Sequence, residues 1–445
     1  MNPPATPSRI LVLGGGGREH ALAWKLAGEA GVGDVIVAPG SAGIAAEPGV
    51  RTAIVDALDL AAVVALARAE AVHLVVVGPE APLGAGVADA LEAAGIPVFG
   101  PVAAAARMET SKAFCHEVAR AAGVRMARAR AFAGGDEAAA AAYIDELAAD
   151  GALAVLKADG LAAGKGVIVT DSTAQAQELA PSFLVGRAAG EPALVIEERL
   201  SGPEASVIAI CDGVRAVALP AARDHKRLCD GDKGPNTGGM GAYSPLPDLT
   251  DAAVDDILRT VHRPILAELA RRGTPFRGFL YAGLMLTAEG PVLLETNVRL
   301  GDPEAQAILP RLDADLAPVL AAAAAGALPG TLGDRLPARE AAAVTIVLAA
   351  QGYPNTPRRG DPIEGIEDAT GQGALVFHAG TLGRRRPEGG FGTNGGRVLA
   401  VVGRGTDLAG ARAAAERAAN AITWDGMHRR HDIAAIIPQR AEVPA

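Results

Sequence analysis

The sequence is short of cysteine, of long apolar runs and of excess positive charge, and each shortage removes a class of protein. Its three cysteines, Cys115, Cys211 and Cys229, have no CxxC spacing, which fits neither a disulfide framework nor a thiolate zinc site. A reducing compartment suits them. The longest apolar stretches, 341–350 and the alanine run 321–325, fall well short of the roughly 18 to 20 residues that cross a bilayer, so no membrane segment is expected. Residues 1–8 are polar and proline-rich, and the run 10–13 is too short for a signal peptide. A cytoplasmic location is therefore expected. A net charge of -10 and a pI near 5.4 argue against an extended nucleic-acid footprint, which needs clustered Lys and Arg. Small anionic ligands stay open, since one phosphate needs only a few cations and amides.

At 445 residues the chain exceeds the roughly 250 to 300 residues that one hydrophobic core supports, so two to four domains are expected. Hydrophobic residues at 50% and charged residues at 21% favour neither disorder nor a membrane class. Apolar runs at 10–13, 35–38, 74–77 and 98–99 alternate with amphipathic stretches, and each ends in glycine or proline. That pattern predicts buried parallel strands of a doubly wound α/β sheet, with ligands at the strands' carboxyl ends. From about Lys112 the order becomes helix, then short strands, with 154–157 and 167–170 flanking a glycine-rich tip. Strand patterns at 193–197, 205–210, 216–219, 284–286 and 292–295, with a helix over 251–270, predict an α+β lobe. Leu328-Pro329-Gly330 reads as a linker to a last unit of strands, turns and one late helix. The expected division is 1–108, 109–192, 193–332 and 333–445.

Gly14-Gly15-Gly16-Gly17-Arg18-Glu19-His20 follows a strand and opens a helix, where amides and the helix dipole receive a phosphate; glycine also makes turns that bind nothing. A dinucleotide fingerprint is disfavoured, because Glu19 stands where the third glycine belongs. Glu80 reads as a ligand for sugar hydroxyls or an amine, and equally as a solvated acid. Lys157 precedes Asp159-Gly160-Leu161-Ala162-Ala163-Gly164-Lys165-Gly166, whose composition suits a phosphate-covering loop, although Asp159 and Gly166 break the Walker A pattern. Glu197-Glu198-Arg199-Leu200 and Glu204 read, taken alone, as solvated charges at a strand end. Glu295, Asn297 and Arg299 recur at period two and share one strand face. A carboxylate and an amide suit Mg2+ held jointly with substrate phosphates, and Arg299 suits an anionic oxygen, though a polar edge strand shows the same pattern. The loop from Asp224-His225-Lys226-Arg227 through Asn236-Thr237-Gly238-Gly239-Met240-Gly241 is too long and glycine-rich for a plain connection.

Taken in order, with Val77-Gly78-Pro79-Glu80, Arg299-Leu300-Gly301-Asp302-Pro303-Glu304, Phe377-His378-Ala379-Gly380-Thr381 and Thr393-Asn394-Gly395-Gly396-Arg397, these motifs resemble the ATP-grasp superfamily and, within it, the phosphoribosylamine-glycine ligase family. The resemblance spans nearly the whole chain after residue 9. It implies an N-terminal Rossmann-like substrate domain, a two-lobed ATP-grasp core and a small C-terminal β-rich domain. The implied activity is ATP-dependent ligation of glycine to 5-phosphoribosylamine in purine biosynthesis, through glycyl phosphate. The resemblance places ATP against Lys112 and Lys157, under a lid containing Gly160, Gly164, Lys165 and Gly166, with Glu197, Glu198, Leu200 and Glu204 at adenine and ribose. It implies Glu295 and Asn297 as ligands of Mg2+ or Mn2+. Phosphoribosylamine is expected near Gly16, Gly17, Arg18, Glu19, Glu80, Asp224, Lys226, Asn236 and Gly238, with Arg299, Lys157 and Asp224 as the catalytic residues. The small molecules glycine and phosphoribosylamine are the expected partners, without nucleic acid or membrane, and a monomer or weak dimer is the expected assembly. Tyr281-Ala282-Gly283-Leu284-Met285-Leu286 departs from the superfamily by lacking an acidic ligand on that strand, so the metal would lean on ATP and water. The competing readings are another ATP-grasp ligase with a different acceptor, and a nucleotide-binding regulator without catalysis.

Overall fold

A computed structural model describes residues 6–161, 166–384 and 389–435. Strands β1 (Arg9–Gly14), β2 (Asp34–Pro39), β3 (Val50–Thr52), β4 (Leu74–Val77) and β5 (Val98–Phe99) form a parallel sheet in the order β3-β2-β1-β4-β5. Their apolar runs are continuous rather than alternating because both faces are covered, and Ile10, Leu11, Val12 and Leu13 are fully buried. The strand order reverses between β1 and β4, which opens a crevice at their carboxyl ends beside Gly14 and Gly78. A Cβ on Gly15 would lie 2.6 Å from the Gly40 carbonyl oxygen, so only glycine lets the turns after β1 and β2 pass this closely. The three-residue edge strand β3 has no apolar run and left no trace in the sequence pattern.

Strands β6 (Ala129–Ala133), β7 (Ala154–Ala158), β8 (Val167–Val169) and β9 (Pro192–Glu198) form an antiparallel sheet in the order β6-β9-β7-β8. The strand expected to open the larger lobe at 193 is therefore an inner strand of the smaller one. Leu194 and Ile196 on β9 pack with Leu156, Tyr143 and Ile144, and this shared core fixes the assignment.

Strands β10 (Glu204–Asp212) and β11 (Ala216–Ala218) are followed by four short ones, β12 (Arg223–Asp224), β13 (Arg227–Cys229), β14 (Lys233–Asn236) and β15 (Gly241–Ser244). After the helices Asp251–Ile257 and Arg263–Arg271 come β16 (Arg277–Thr287) and β17 (Gly290–Asn297), and the order β11-β10-β16-β17 makes an antiparallel sheet. Leu258, Ile265, Leu266 and Leu269 pack against Val207, Ala209 and Leu280 of that sheet.

The remaining strands are β18 (Ala342–Ala349), β19 (Pro362–Ile363), β20 (Leu375–His378), β21 (Thr381–Gly383), β22 (Phe391–Thr393) and β23 (Arg397–Gly405). Their main sheet runs β12-β15-β18-β23-β20, so the glycine-rich stretch near 241 is not a loop but the strand that extends the last sheet. Gly241 pairs with Ile346 and Ser244 with Ala343. The late helix, Leu408–Ala421, covers this sheet through Ala411, Ala415 and Ala418 packed with Val344, Ile346 and Val401. A second short helix, Ile366–Gly371, stands where only one late helix was expected.

The β13-β14 hairpin is pinned by Arg430, whose side chain is 1% exposed. Its Nε and one terminal nitrogen bond both Asp432 oxygens at 2.7 and 2.6 Å, and the other terminal nitrogen reaches Asp232 Oδ1 at 2.7 Å.

Candidate active site

Residues from all of these sheets and their connections line one cleft of about 1280 Å3. At one end, Lys157 on β7 places Nζ 2.8 Å from Glu197 Oε2 and donates to the Leu294 carbonyl at 2.9 Å. His116 Nε2 lies 2.8 Å from the other oxygen, Glu197 Oε1. Burial opposes ionisation of Glu197, but Lys157 and His116 outweigh it and hold the carboxyl below its usual range. An ammonium has three N–H groups; two are committed here, which leaves one for an anion in the cleft. Lys112 opens the helix Lys112–Ala121, which Ser111 caps by accepting from Phe114 N at 3.1 Å. Asp159 accepts from Ser111 Oγ and from Ala113 N at 3.0 and 3.1 Å. The glycine-rich tip is thereby tied to this helix, and Lys112 Nζ donates to the Gly160 carbonyl at 2.8 Å.

In the middle, Lys226 Nζ lies 2.9 Å from Glu204 Oε2 and 3.3 Å from Glu295 Oε1. Lys226 drives the Glu295 carboxyl down to about 2, so Glu295 is ionised at neutral pH. Asp224 goes the other way: burial first, and then the Glu304 carboxylate, push it well above the usual range against the pull of Lys226. Glu304 Oε1 accepts from Ser206 Oγ at 3.1 Å, and Ser206 Oγ lies 2.8 Å from the Tyr281 hydroxyl. Arg299, just past the end of β17, places Nε 3.2 Å from Glu80 Oε2 and a terminal nitrogen 2.8 Å from Glu109 Oε1. Burial works against its charge, yet Glu109 and Glu80 raise its pKa, and the planar fork is held in one orientation. Asn297, turned so that both amide atoms are satisfied, donates to Glu109 Oε1 at 3.0 Å.

At the far corner lies the glycine turn. Glu19 Oε2 accepts from Gly16 N at 2.8 Å and Oε1 from Arg18 Nε at 2.6 Å, so part of the turn's donor set is satisfied from within. Asp302 Oδ2 sits 3.9 Å from where a Cβ on Gly16 would stand. It pairs with Arg397 at 2.9 Å. Burial opposes ionisation of Asp302, but Arg397 and Arg18 hold its carboxyl below the usual range.

Three family models match in chain order: phosphoribosylglycinamide synthetase N domain over residues 8–109, ATP-grasp (A) domain over 110–305 and C domain over 343–436. A phosphoribosylamine-glycine ligase from Streptomyces coelicolor is 49% identical over 433 residues, covering 96% of this chain and 99% of that protein. One from Caulobacter vibrioides is 48% identical over 425 residues, covering 95% and 97%. The chain belongs to the phosphoribosylglycinamide synthetase family. A crystal structure of phosphoribosylamine-glycine ligase from Thermotoga maritima matches with a TM-score of 0.76 and 32% identity, covering 96% of this chain and all of that one. The biotin carboxylase domain of Hydrogenobacter thermophilus 2-oxoglutarate carboxylase, at a TM-score of 0.70 and 16% identity, shares the fold alone.

In this member of the phosphoribosylglycinamide synthetase family the cleft brings together Arg18, Glu80, Lys112, Lys157, Gly160, Gly166, Glu197, Glu198, Leu200, Glu204, Asp224, Lys226, Asn236, Gly238, Glu295, Asn297 and Arg299. Gly16, Gly17 and Glu19 do not line it, because Glu19 turns inward and a Cβ on Gly17 would meet Gln306 at 2.7 Å. Gly164 and Lys165 lie outside the described residues. Sequence reasoning gave no role to His116 and Glu109, although Glu109 stands only three positions before Lys112. It also gave none to Asp302, Glu304, Tyr353 and Arg397, which line the same cleft. The resemblance included Asp302, Glu304 and Arg397 within its motifs without saying what they touch.

Proposed function

We propose that this cleft joins glycine to 5-phosphoribosylamine at the expense of ATP. The chain is an ATP-dependent carbon-nitrogen ligase of the purine pathway, and the products are glycinamide ribonucleotide, ADP and phosphate. The observation that carries the assignment of roles is the convergence of two incompletely satisfied lysines, a doubly braced arginine and an elevated carboxyl on one cleft.

A carboxylate cannot acylate an amine directly, because its leaving group would be oxide. A glycine carboxylate oxygen therefore attacks the γ-phosphorus of ATP, the bridging bond breaks and ADP leaves. The amine nitrogen of phosphoribosylamine then attacks the carbonyl carbon of glycyl phosphate, the C–O bond to phosphate breaks and the nitrogen loses a proton. Such transfer depends on positioning and charge neutralisation rather than on a protein nucleophile. In this reading Lys112 and Lys157 take the ATP phosphates, and the strand end at Glu198 and Leu200 takes the base. Arg299 faces the transferred phosphoryl group. Asp224, whose carboxyl is pushed above the usual range by burial and by Glu304, is the group proposed to accept the proton from the amine.

The family uses a divalent metal. Among the described residues no group of three or more His, Cys, Asp or Glu is placed to hold one alone, but an ionised carboxylate and an amide, Glu295 and Asn297, fit an ion that keeps its other positions for phosphates and water. Mg2+ is the proposed ion, and it would neutralise charge on the phosphates. None of the described helices is long and apolar enough to cross a membrane; the cytoplasm and a monomer or weak dimer complete the proposal.

The test is ADP release by the purified protein with ATP and Mg2+, with glycine and freshly made phosphoribosylamine supplied together and then omitted singly. Release that needs both supports the proposal. Release indifferent to either one overturns it.

A further inference from the structure

We infer that Arg397 and Tyr353, from the last sheet and its loops, position the acceptor corner of the cleft and thereby set affinity for the sugar-phosphate substrate without touching the ATP end. The inference rests on the ligase reading above.

Both backbone groups of Gly238 are held: its N–H donates to the Tyr353 hydroxyl at 2.9 Å, and its carbonyl accepts from an Arg397 terminal nitrogen. That nitrogen also donates to the Asp302 carbonyl at 2.6 Å, while the other pairs with Asp302 Oδ2 at 2.9 Å. One guanidinium thus joins the β14-β15 connection, the turn after β17 and its own strand β23. Its rigid fork suits this, because all its bonds form in one plane. The remaining Asp302 oxygen accepts from Gln306 Nε2 at 2.7 Å, and Gln306 abuts the turn at Gly17. The packing leaves no slack: a Cβ on Gly239 would lie 2.5 Å from Pro303 Cδ, and one on Gly396 would overlap the Tyr353 ring at 2.3 Å. Asp302, Gly238, Tyr353 and Arg397 all line the cleft, whereas the partners of Lys112 and Lys157 come from other segments.

The experiment compares wild type with Arg397→Ala, Arg397→Lys and Tyr353→Phe by steady-state ADP release, varying each substrate in turn, with phosphoribosylamine formed from ribose 5-phosphate and ammonia. Glycinamide ribonucleotide, which carries the same sugar phosphate, is titrated separately by calorimetry. The expected result for Arg397→Ala is a KM for phosphoribosylamine raised about tenfold or more, as loss of several charge-assisted bonds implies, with KM for ATP and glycine within about twofold. Tyr353→Phe should move the same constant by about threefold, and Arg397→Lys should fall between. An unchanged KM for phosphoribosylamine, or an equal rise in all three constants, overturns the inference. If Arg397→Ala does not fold, the other two variants decide by the same criteria. A wild type that binds the ribonucleotide but shows no acceptor-dependent turnover defeats the ligase reading, and the binding series then decides this one; a wild type that does not bind it overturns the inference.

Discussion

Lys157 and Glu197 meet at 2.8 Å with side chains 8% and 4% exposed, and His116 closes the chain from the opposite oxygen. A buried carboxylate of this kind holds the lysine ammonium in one place. Replacing His116 by Leu leaves Glu197 one donor short, so ATP should bind about fivefold to tenfold more weakly while His116→Gln recovers most of the loss. Nucleotide titration of the two variants checks this, and equal binding by both would count against the relay.

Asp224→Asn removes a proton acceptor without changing volume. We expect kcat to fall by about a hundredfold or more, with the KM for ATP little changed. A rise confined to KM, with kcat unchanged, would show that Asp224 binds rather than transfers a proton.

Glu295→Gln should raise the Mg2+ concentration needed for half-maximal activity, because a neutral amide is a weaker ligand for a hard cation. Chelation of the metal should abolish ADP release from the wild type. A metal titration with the ATP concentration held fixed measures both effects.

Burial lowers the His262 pKa from 6.5 to about 4. Above pH 6.5 the ring is neutral in both folded and unfolded chains. As pH falls from 6.5 towards 4, only the unfolded chain takes up the proton, so stability drops by about 3 kcal/mol across that window. Burial, with His20 beside it, lowers His378 to about 3, which acts with the same sign. Urea unfolding at pH 7 and pH 4.5 should show a smaller difference in His262→Leu than in the wild type, whatever the variant's stability at pH 7.

Arg430→Met removes a cation held by Asp432 and Asp232. Asp232 is two-thirds exposed and can rehydrate, whereas Asp432 is 24% exposed and cannot do so fully. We expect a loss of about 2 kcal/mol in unfolding free energy, together with weaker acceptor binding as the β13-β14 hairpin loosens.

The parallel sheet was legible because a strand covered on both faces needs an unbroken apolar run, and residues 10–13 and 74–77 supply one. The lysines and the Glu295 strand face were legible because charge at a strand end beside glycine is unusual. What escaped has a common physical cause. The strand β15 reads as loop because glycine dominates its surroundings, and its pairing to β18 is made about a hundred residues further on. Glu109, His116 and Arg397 escaped because each acts on a partner from a distant segment: Arg299, Glu197 and Asp302. No local pattern records such a meeting.

The sheet that combines β12 and β15 with β18, β23 and β20 also bears on how the chain is made. During synthesis, which proceeds at about 5 to 20 residues per second, residues 241–244 emerge well before the strand that pairs with them. For several seconds the side of β15 that β18 covers stands open, with only β12 paired along its other side. A nascent chain stalled near residue 330 should therefore be prone to aggregation and a target for holdase chaperones, and release of the remaining hundred residues should end that vulnerability.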